Sequence, residues 1–286
     1  MKRITLFFFL MLATNQLLKA QTALKIISYN VYNYFEAEAD RKARFVSWAK
    51  TQQADVIAYQ ELVNITAQEL QGLGAAIDHP YTVLAKEKGY AVGISSKYPI
   101  TDVKKVIAGM HHGFIAAKIK NMNFVVVHLS PFSHEKRREE VSTITDSLER
   151  WSISKKILIM GDLNSLAATD SMAYNRHDRL TPMLRSDSSS KISNANNGLL
   201  DYGIPAYLIQ KGFLDTWSMK VKGFNFSYPT LVFGPVPDSS KERIDYIFVS
   251  PDLQKNATKP IIVKDAVTDQ LSDHYPLSIL LSIPAN

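Results

Sequence analysis

Short runs of β-branched and aromatic residues recur along the whole chain, at 24–29, 56–59, 90–95, 124–127, 157–160, 244–249 and 277–283. Each is too brief for a helix core and too apolar for a surface, and reads as a buried strand; 114–119 is similar in character. Between the runs lie helix-like segments, clearest at 41–53, 67–73 and 134–151, where Val141, Ile144 and Leu148 fall on one face. Strands alternating with helices predict an α/β protein. Two polar, turn-rich stretches, 165–200 and 223–241, read as surface excursions; the second carries Phe224, Phe226, Tyr228 and Phe233, which suit packing over a sheet edge, stacking on bases or meeting lipid. With no internal repeat, residues 21–286 read as a single domain.

The polar residues able to carry chemistry stand where these strands end. Asn30 follows the first run, Gln60-Glu61 the second, His128 the run at 124–127, and Gly161-Asp162-Leu163-Asn164 the run at 157–160. The carboxyl ends of strands are where α/β sheets bind ligands. Asp245 and the segment Ser272-Asp273-His274-Tyr275-Pro276 add two acids and a histidine. Taken singly, Asn30, Asn164 and Asp162 suit turns, and Glu61 suits a cap for the helix starting near Thr66. Taken together they supply what phosphoester hydrolysis needs: hard oxygen ligands for a divalent ion, a carboxylate to activate water and an imidazole to stabilise the transition state. Asp162 and Asn164, two apart, share one face if the segment is extended.

In this order and spacing the motifs resemble the endonuclease/exonuclease/phosphatase superfamily, over nearly the whole chain from Ile26 to Ile279. The resemblance implies a four-layer sandwich, two packed mixed β-sheets flanked by helices, with a metal-dependent site at one rim. It implies that Asn30, Glu61 and Asp273 serve a Mg2+ or Mn2+ ion, and that Asp162 handles the attacking water. It further implies that Asn164 binds the phosphate, that Asp245 orients the catalytic His274, and that His128 is the second histidine of deoxyribonuclease-like and sphingomyelinase-like members. Tyr32 stands where abasic-site endonucleases carry an aspartate and His128 where they carry a tyrosine, which argues against that branch. Leu163 and Asn164 depart likewise from the inositol-phosphatase pattern.

The chain has no cysteine, so any metal falls to Asp, Glu, Asn or His. Met1-Lys2-Arg3, the apolar run 4–13 and the small residue Ala20 have the layout of a signal peptide cleaved near Ala20, too short to span a bilayer. The expectation is export to a periplasm or the exterior as a monomer. Loss of Lys2, Arg3 and Lys19 lowers the net charge from +6 to +3, which permits a nucleic-acid substrate without requiring one. The leading reading is an exported nuclease. Phospholipid or sugar-phosphate hydrolysis is the alternative, and a binding protein that has lost catalysis the third. His111 and His112, ahead of the strand-like 114–119, read either as substrate contacts or as exposed loop bystanders. Lys136, Arg137 and Arg138 read either as a solvated helix face paired with Glu139 and Glu140 or as a phosphate clamp.

Overall fold

The computed structural model describes residues 22–37 and 39–283; the export segment expected over 1–20 lies outside them. Two six-stranded sheets form the body. Edge to edge, the first is β11 (Ala257–Ile262), β12 (Leu277–Ile283), β1 (Thr22–Asn30), β2 (Val56–Val63), β4 (Tyr90–Ser96) and β3 (Tyr81–Leu84). The second is β5 (Thr101–Val106), β6 (Phe114–Ile119), β7 (Met122–His128), β8 (Ile157–Asp162), β10 (Asp245–Val249) and β9 (Leu214–Asp215). Both are mixed, because each holds one parallel pair among antiparallel neighbours: β1 with β2, and β7 with β8.

A parallel pair needs a long crossover. Helix α1 (Ala39–Gln52) supplies it between β1 and β2, and α3 (His134–Arg150) between β7 and β8. Each crossover brings two carboxyl ends side by side, setting Asn30 opposite Gln60 and His128 opposite Asp162.

Alternation along the strands sorts side chains into layers. Leu24, Ile26, Val56 and Ala58 of the first sheet meet Phe124, Val126, Leu158 and Met160 of the second. From the other face of the first sheet, Ile27, Tyr29, Ile57 and Tyr59 pack under α1 and α2 (Ala67–Ala76). From the outer face of the second, Val125, Val127, Ile157 and Ile159 pack under α3 and α6 (Gly203–Gln210), with Val141, Ile144 and Leu148 of α3 buried as the spacing predicts. The fold is thus the four-layer sandwich that the resemblance implied.

The structure differs from expectation at the excursions. The stretch 165–200 carries two helices, α4 (Ser171–Arg176) and α5 (Leu180–Ser190), pinned by a small cluster of Leu166, Tyr174, Met183 and Ile244. The serine-rich end of α5 hid that helix, and α4, at six residues, is too short to show a helical period. In the stretch 223–241, Phe226 packs on the inter-sheet core and Phe224 and Tyr228 on the Tyr174 cluster, while Phe233 is exposed and rests edge-on against Tyr32. A short helix, α7 (Thr216–Lys220), precedes it.

Gly161 shows why this backbone needs that residue. Its φ is +145°, and a Cβ there would lie 1.9 Å from the carbonyl oxygen of Val127 on the neighbouring strand. We expect Gly161→Ala to lower stability by at least about 2 kcal/mol, from forbidden backbone and overpacking together. Gly72, in the middle of α2 with open space around it, gives the opposite sign: Gly72→Ala should gain about 0.5–1 kcal/mol. Chemical denaturation midpoints of the two variants check the pair; equal midpoints would contradict the assignment of strain to Gly161.

Candidate active site

At the carboxyl end of β1, Asn30 is fully buried and faces the second sheet. Its amide Nδ2 donates to Glu61 Oε1 at 3.1 Å and to Asp162 Oδ2 at 3.2 Å, while its Oδ1 accepts from the backbone N–H of Tyr32. Glu61 sits in a bulge of β2, where the pairing with β4 slips between Tyr59 and Leu62. Its φ of 61° is left-handed, an uncommon conformation for a glutamate and one that bulges use to re-aim a side chain. Its other oxygen accepts from the N–H of Asn33 at 2.9 Å. The helix start that Glu61 could have capped is closed instead by the reciprocal Thr66–Glu69 capping box.

From the second sheet, β8 ends at Asp162. The backbone then turns rather than continuing as an extended segment: the Asn164 N–H donates to Asp162 Oδ1 at 2.8 Å, and Asn164 has a φ of 47°. That turn still brings Asn164 Nδ2 to 3.2 Å from His128 Nε2, where it also donates to the Leu129 carbonyl. Asp162 Oδ2 lies 3.4 Å from His128 Nε2 and 3.7 Å from His274 Nε2. This one carboxylate therefore touches groups from both sheets and from the 272–276 loop.

His274 is held from behind by Asp245, whose Oδ2 is 2.8 Å from Nδ1. Since a carboxylate only accepts, Nδ1 carries a proton. Asp245 is opposite Asp162 across the antiparallel β8–β10 pair. Ser272 fixes the loop, donating to the Asn30 carbonyl at 2.6 Å and accepting the His274 N–H.

Charge dominates the electrostatics here. Burial alone would lower the pKa of His274, but the carboxylates of Asp245, Asp273 and Asp162 outweigh it and raise it well above the ordinary value. Asp162 is pushed up by burial, which the neighbouring His274 only partly offsets and to which Asp245 and Glu61 add. Asp273 is pushed up by burial and again by Glu61, with His274 opposing. His128 goes the other way: burial, then the adjacent His112 and His274, hold it well below the histidine range.

Glu61, His128, Asp162, Asn164, Asp273 and His274 line one cleft of about 460 Å³. Asn30 and Asp245 stand behind it as supports. The cleft also has residues that sequence reasoning missed or misread. His112 is buried, not exposed; its ring stacks on His128 at 3.7 Å and 7°, and its Nδ1–H donates to the His128 carbonyl at 3.0 Å. His111 is exposed as expected but also lines the cleft. Arg179, Ser186 and Asn194 reach it from the excursion taken as mere surface, and Tyr228 packs 4.9 Å from the His274 ring. Tyr228 and the histidine pair are visible in the sequence without their place at the cleft, and no motif flags Arg179, Ser186 or Asn194, whose positions depend on how the 165–200 stretch folds back.

The basic helix start resolves residue by residue. Lys136 pairs with Glu139, as a solvated face would. Arg137 is 2 % exposed and donates to the Ser130 carbonyl and to Asn194, and Arg138 pairs with Asp201. Neither arginine is a free solvated charge.

Two oxygen-rich arrangements bear on metal binding. Asp162, Asp245 and His274 offer ligand atoms within 4.8 Å of one another and could hold an ion. In that group, however, His274 and Asp245 already satisfy each other. Glu61 and Asp273 also line the cleft, and carboxylate oxygens are what Mg2+ and Mn2+ prefer.

Residues 27–274 match the Endonuclease/Exonuclease/phosphatase family. Among solved structures, the 3' phosphatase NExo from Neisseria, bound to product DNA hairpin, superposes with a TM-score of 0.66 at 17% identity, covering 90% of this chain and 99% of that one. An AP endonuclease from Archaeoglobus fulgidus gives 0.64 at 18% identity, over 91% and 100%. An endonuclease/exonuclease/phosphatase from Bacteroides vulgatus gives 0.60 at 18%, over 91% and 98%. At these identities the likeness is one of fold. Among curated proteins none matches the chain.

The stacked histidines make the site acid-sensitive. Burial, with the charge of His111 adding, brings His112 down to about 3 from 6.5. A lowered pKa means that the unfolded chain binds the proton more readily, so this contribution is present above about pH 6.5 and is lost as pH falls toward 3. His112→Phe, which keeps a ring for stacking, should flatten the unfolding free energy against pH in that window by about 1.4 kcal/mol per pH unit. Urea unfolding at several pH values measures the slope; an unchanged slope would show that His112 is not the titrating group.

Proposed function

Because the chain belongs to the endonuclease/exonuclease/phosphatase family, we propose that this phosphoester hydrolase is a divalent-metal-dependent nuclease. The observation that carries the reading is the position of Asp162, within reach of Asn30, His128 and His274 at the base of one cleft. Its pKa, raised by burial, makes it a stronger base than an ordinary aspartate, suited to accept a proton from the attacking water. The water oxygen bonds to phosphorus as the ester P–O bond breaks. His274, kept protonated by its three acidic neighbours, donates to the phosphate or to the departing oxygen, and Asp245 holds the ring in place. Asn164 and the neutral His128 line the wall against which the phosphate oxygens would sit. Glu61 and Asp273 would hold the ion, with Asn30 steadying Glu61 through its amide. A bound divalent cation supplies charge neutralisation at the phosphate.

The DNA in the Neisseria relative supports a nucleic-acid substrate, which the mildly basic mature charge permits. One observation favours a phospholipid instead: Phe233 is exposed and rests edge-on against Tyr32, which lines the cleft, although no helix among the described residues is long and apolar enough to cross a membrane. A sugar phosphate remains within the same chemistry. The unbroken set of acidic groups and histidines speaks against a purely binding role. We further propose that the protein is a monomer exported by cleavage near Ala20, which the N-terminal mass of protein from the native host reads directly; retention of residues 1–20 would defeat it.

A panel of plasmid DNA, RNA, sphingomyelin and simple phosphomonoesters, each with magnesium, manganese or chelator, tests the main reading. Turnover should vanish in chelator, and Glu61→Gln should weaken metal binding and activity together; full turnover with metal confirmed absent would sink the mechanism. On the substrate that the panel identifies, folded His274→Ala should lose at least about a hundredfold in kcat. Asp245→Asn should lose less, and the double variant far less than the product of the two losses, since the residues act as one unit.

A further inference from the structure

The open space at this rim continues past the cleft. A smaller recess of about 70 Å³ adjoins it, and the two share Pro131, Asn164, Arg179, Asn194, Glu242 and Ile244. A water needs only about 10–15 Å³ of such space, so the recess has room for a group of several heavy atoms.

Its wall carries more donors than the protein uses. Arg137 can only donate, and its Nη1 meets Asn194 Oδ1 at 2.7 Å, so the amide oxygen of Asn194 faces Arg137 and its NH2 points away. Arg179 donates from Nε to Glu242 Oε1 at 2.6 Å, which fixes the guanidinium and leaves its two terminal nitrogens with no protein acceptor among the described residues. Beside the recess, Arg137 Nε and Ser165 Oγ are buried with no partner at all, in side chains that are each 2 % exposed. The acids at the same wall each accept from the protein, although Asp187 Oδ1 is buried without a partner. Asp201 accepts from Arg138 and from the Gly203 N–H, Glu242 accepts from Arg179, and Asp187 behind accepts the backbone N–H groups of Asn194 and Ala195.

We propose that this recess is a second phosphate subsite, in which Arg179 and Asn194 bind the phosphodiester flanking the scissile one along a nucleic-acid strand. The inference rests on the nuclease reading. Arg179 is the sole arginine or lysine among the described residues lining the cleft, and its planar fork matches two oxygens of one phosphate. The recess opens beside Asn164, the amide assigned to the scissile phosphate, which is where the proposal seats a neighbouring phosphate. Because the arginines and acids of the wall nearly balance, the site suits a singly charged diester.

The test uses the mature protein and trinucleotides that share one cleavable phosphodiester. In one member of each pair the flanking linkage is a phosphodiester, in the other an uncharged methylphosphonate, both flanks are tried, and only the products of cleavage at the shared linkage are counted. For one flank the charged member should show kcat/KM higher by about tenfold or more, the least expected of a hydrogen bond to a charged group. Arg179→Gln and Asn194→Ala should bring that ratio toward one, and Arg179→Lys should retain part of it; circular dichroism confirms that each variant is folded. A ratio near one in the wild type, or one that survives in both Arg179→Gln and Asn194→Ala, overturns the proposal. If no oligonucleotide is cleaved, the nuclease reading fails on its own, and calorimetric titration with dimethyl phosphate judges the recess: weaker binding in Arg179→Gln upholds an anion subsite there, and identical isotherms overturn it.

Discussion

Asp162 is 1 % exposed at the point where two β-sheets converge, and the surroundings can be read as the means of keeping a carboxylate there. Burying such a group is costly unless hydrogen bonds and opposite charge replace the water it loses. A backbone N–H comes from its own turn, an amide from the opposite sheet, and an imidazolium from a loop that joins the last two strands of that sheet. Each partner arrives from a different part of the chain. The apolar layer between the sheets sets their separation, and so sets whether Asn30 can reach across at all.

The same packing makes the rim a place of unbalanced charge. Asp162, Asp245 and Asp273 gather around a single imidazolium, while His128 is kept neutral by burial first and by the neighbouring His112 and His274 second. A protein interior gains nothing in stability from such an excess of acid. The arrangement becomes sensible as a receptor for cations and protons, in line with the rule that strongly shifted titration marks functional sites.

How much of this was legible in the sequence follows from where each residue sits. Central strands are buried on both faces and announce themselves as apolar runs, so β1, β2, β7 and β8 and the polar residues ending them were all readable. Edge strands were not. β5 reads Thr-Asp-Val-Lys-Lys-Val, and β11 holds Pro260 in its middle, which only an edge tolerates. The short pair β3 and β9 gave too few residues to show a period. The cleft residues Arg179 and Asn194 escaped, and the burial of His112 with them, because their placement depends on tertiary contacts such as the Arg137–Asn194 bond, which no local pattern encodes.

The pairing of β1 with β12 has a topological consequence. Thr22 stands opposite Ile283, so the two ends of the described chain lie side by side, while the candidate active site lies at the far end of β1, at Asn30. Paired residues in an antiparallel ladder have Cα atoms about 4.5–5.5 Å apart. A linker of a few residues would therefore close the backbone into a ring without disturbing the rim, and new termini could be opened at surface turns elsewhere. For the same reason, a tether attached at either end would present the molecule with its cleft facing away from whatever holds it.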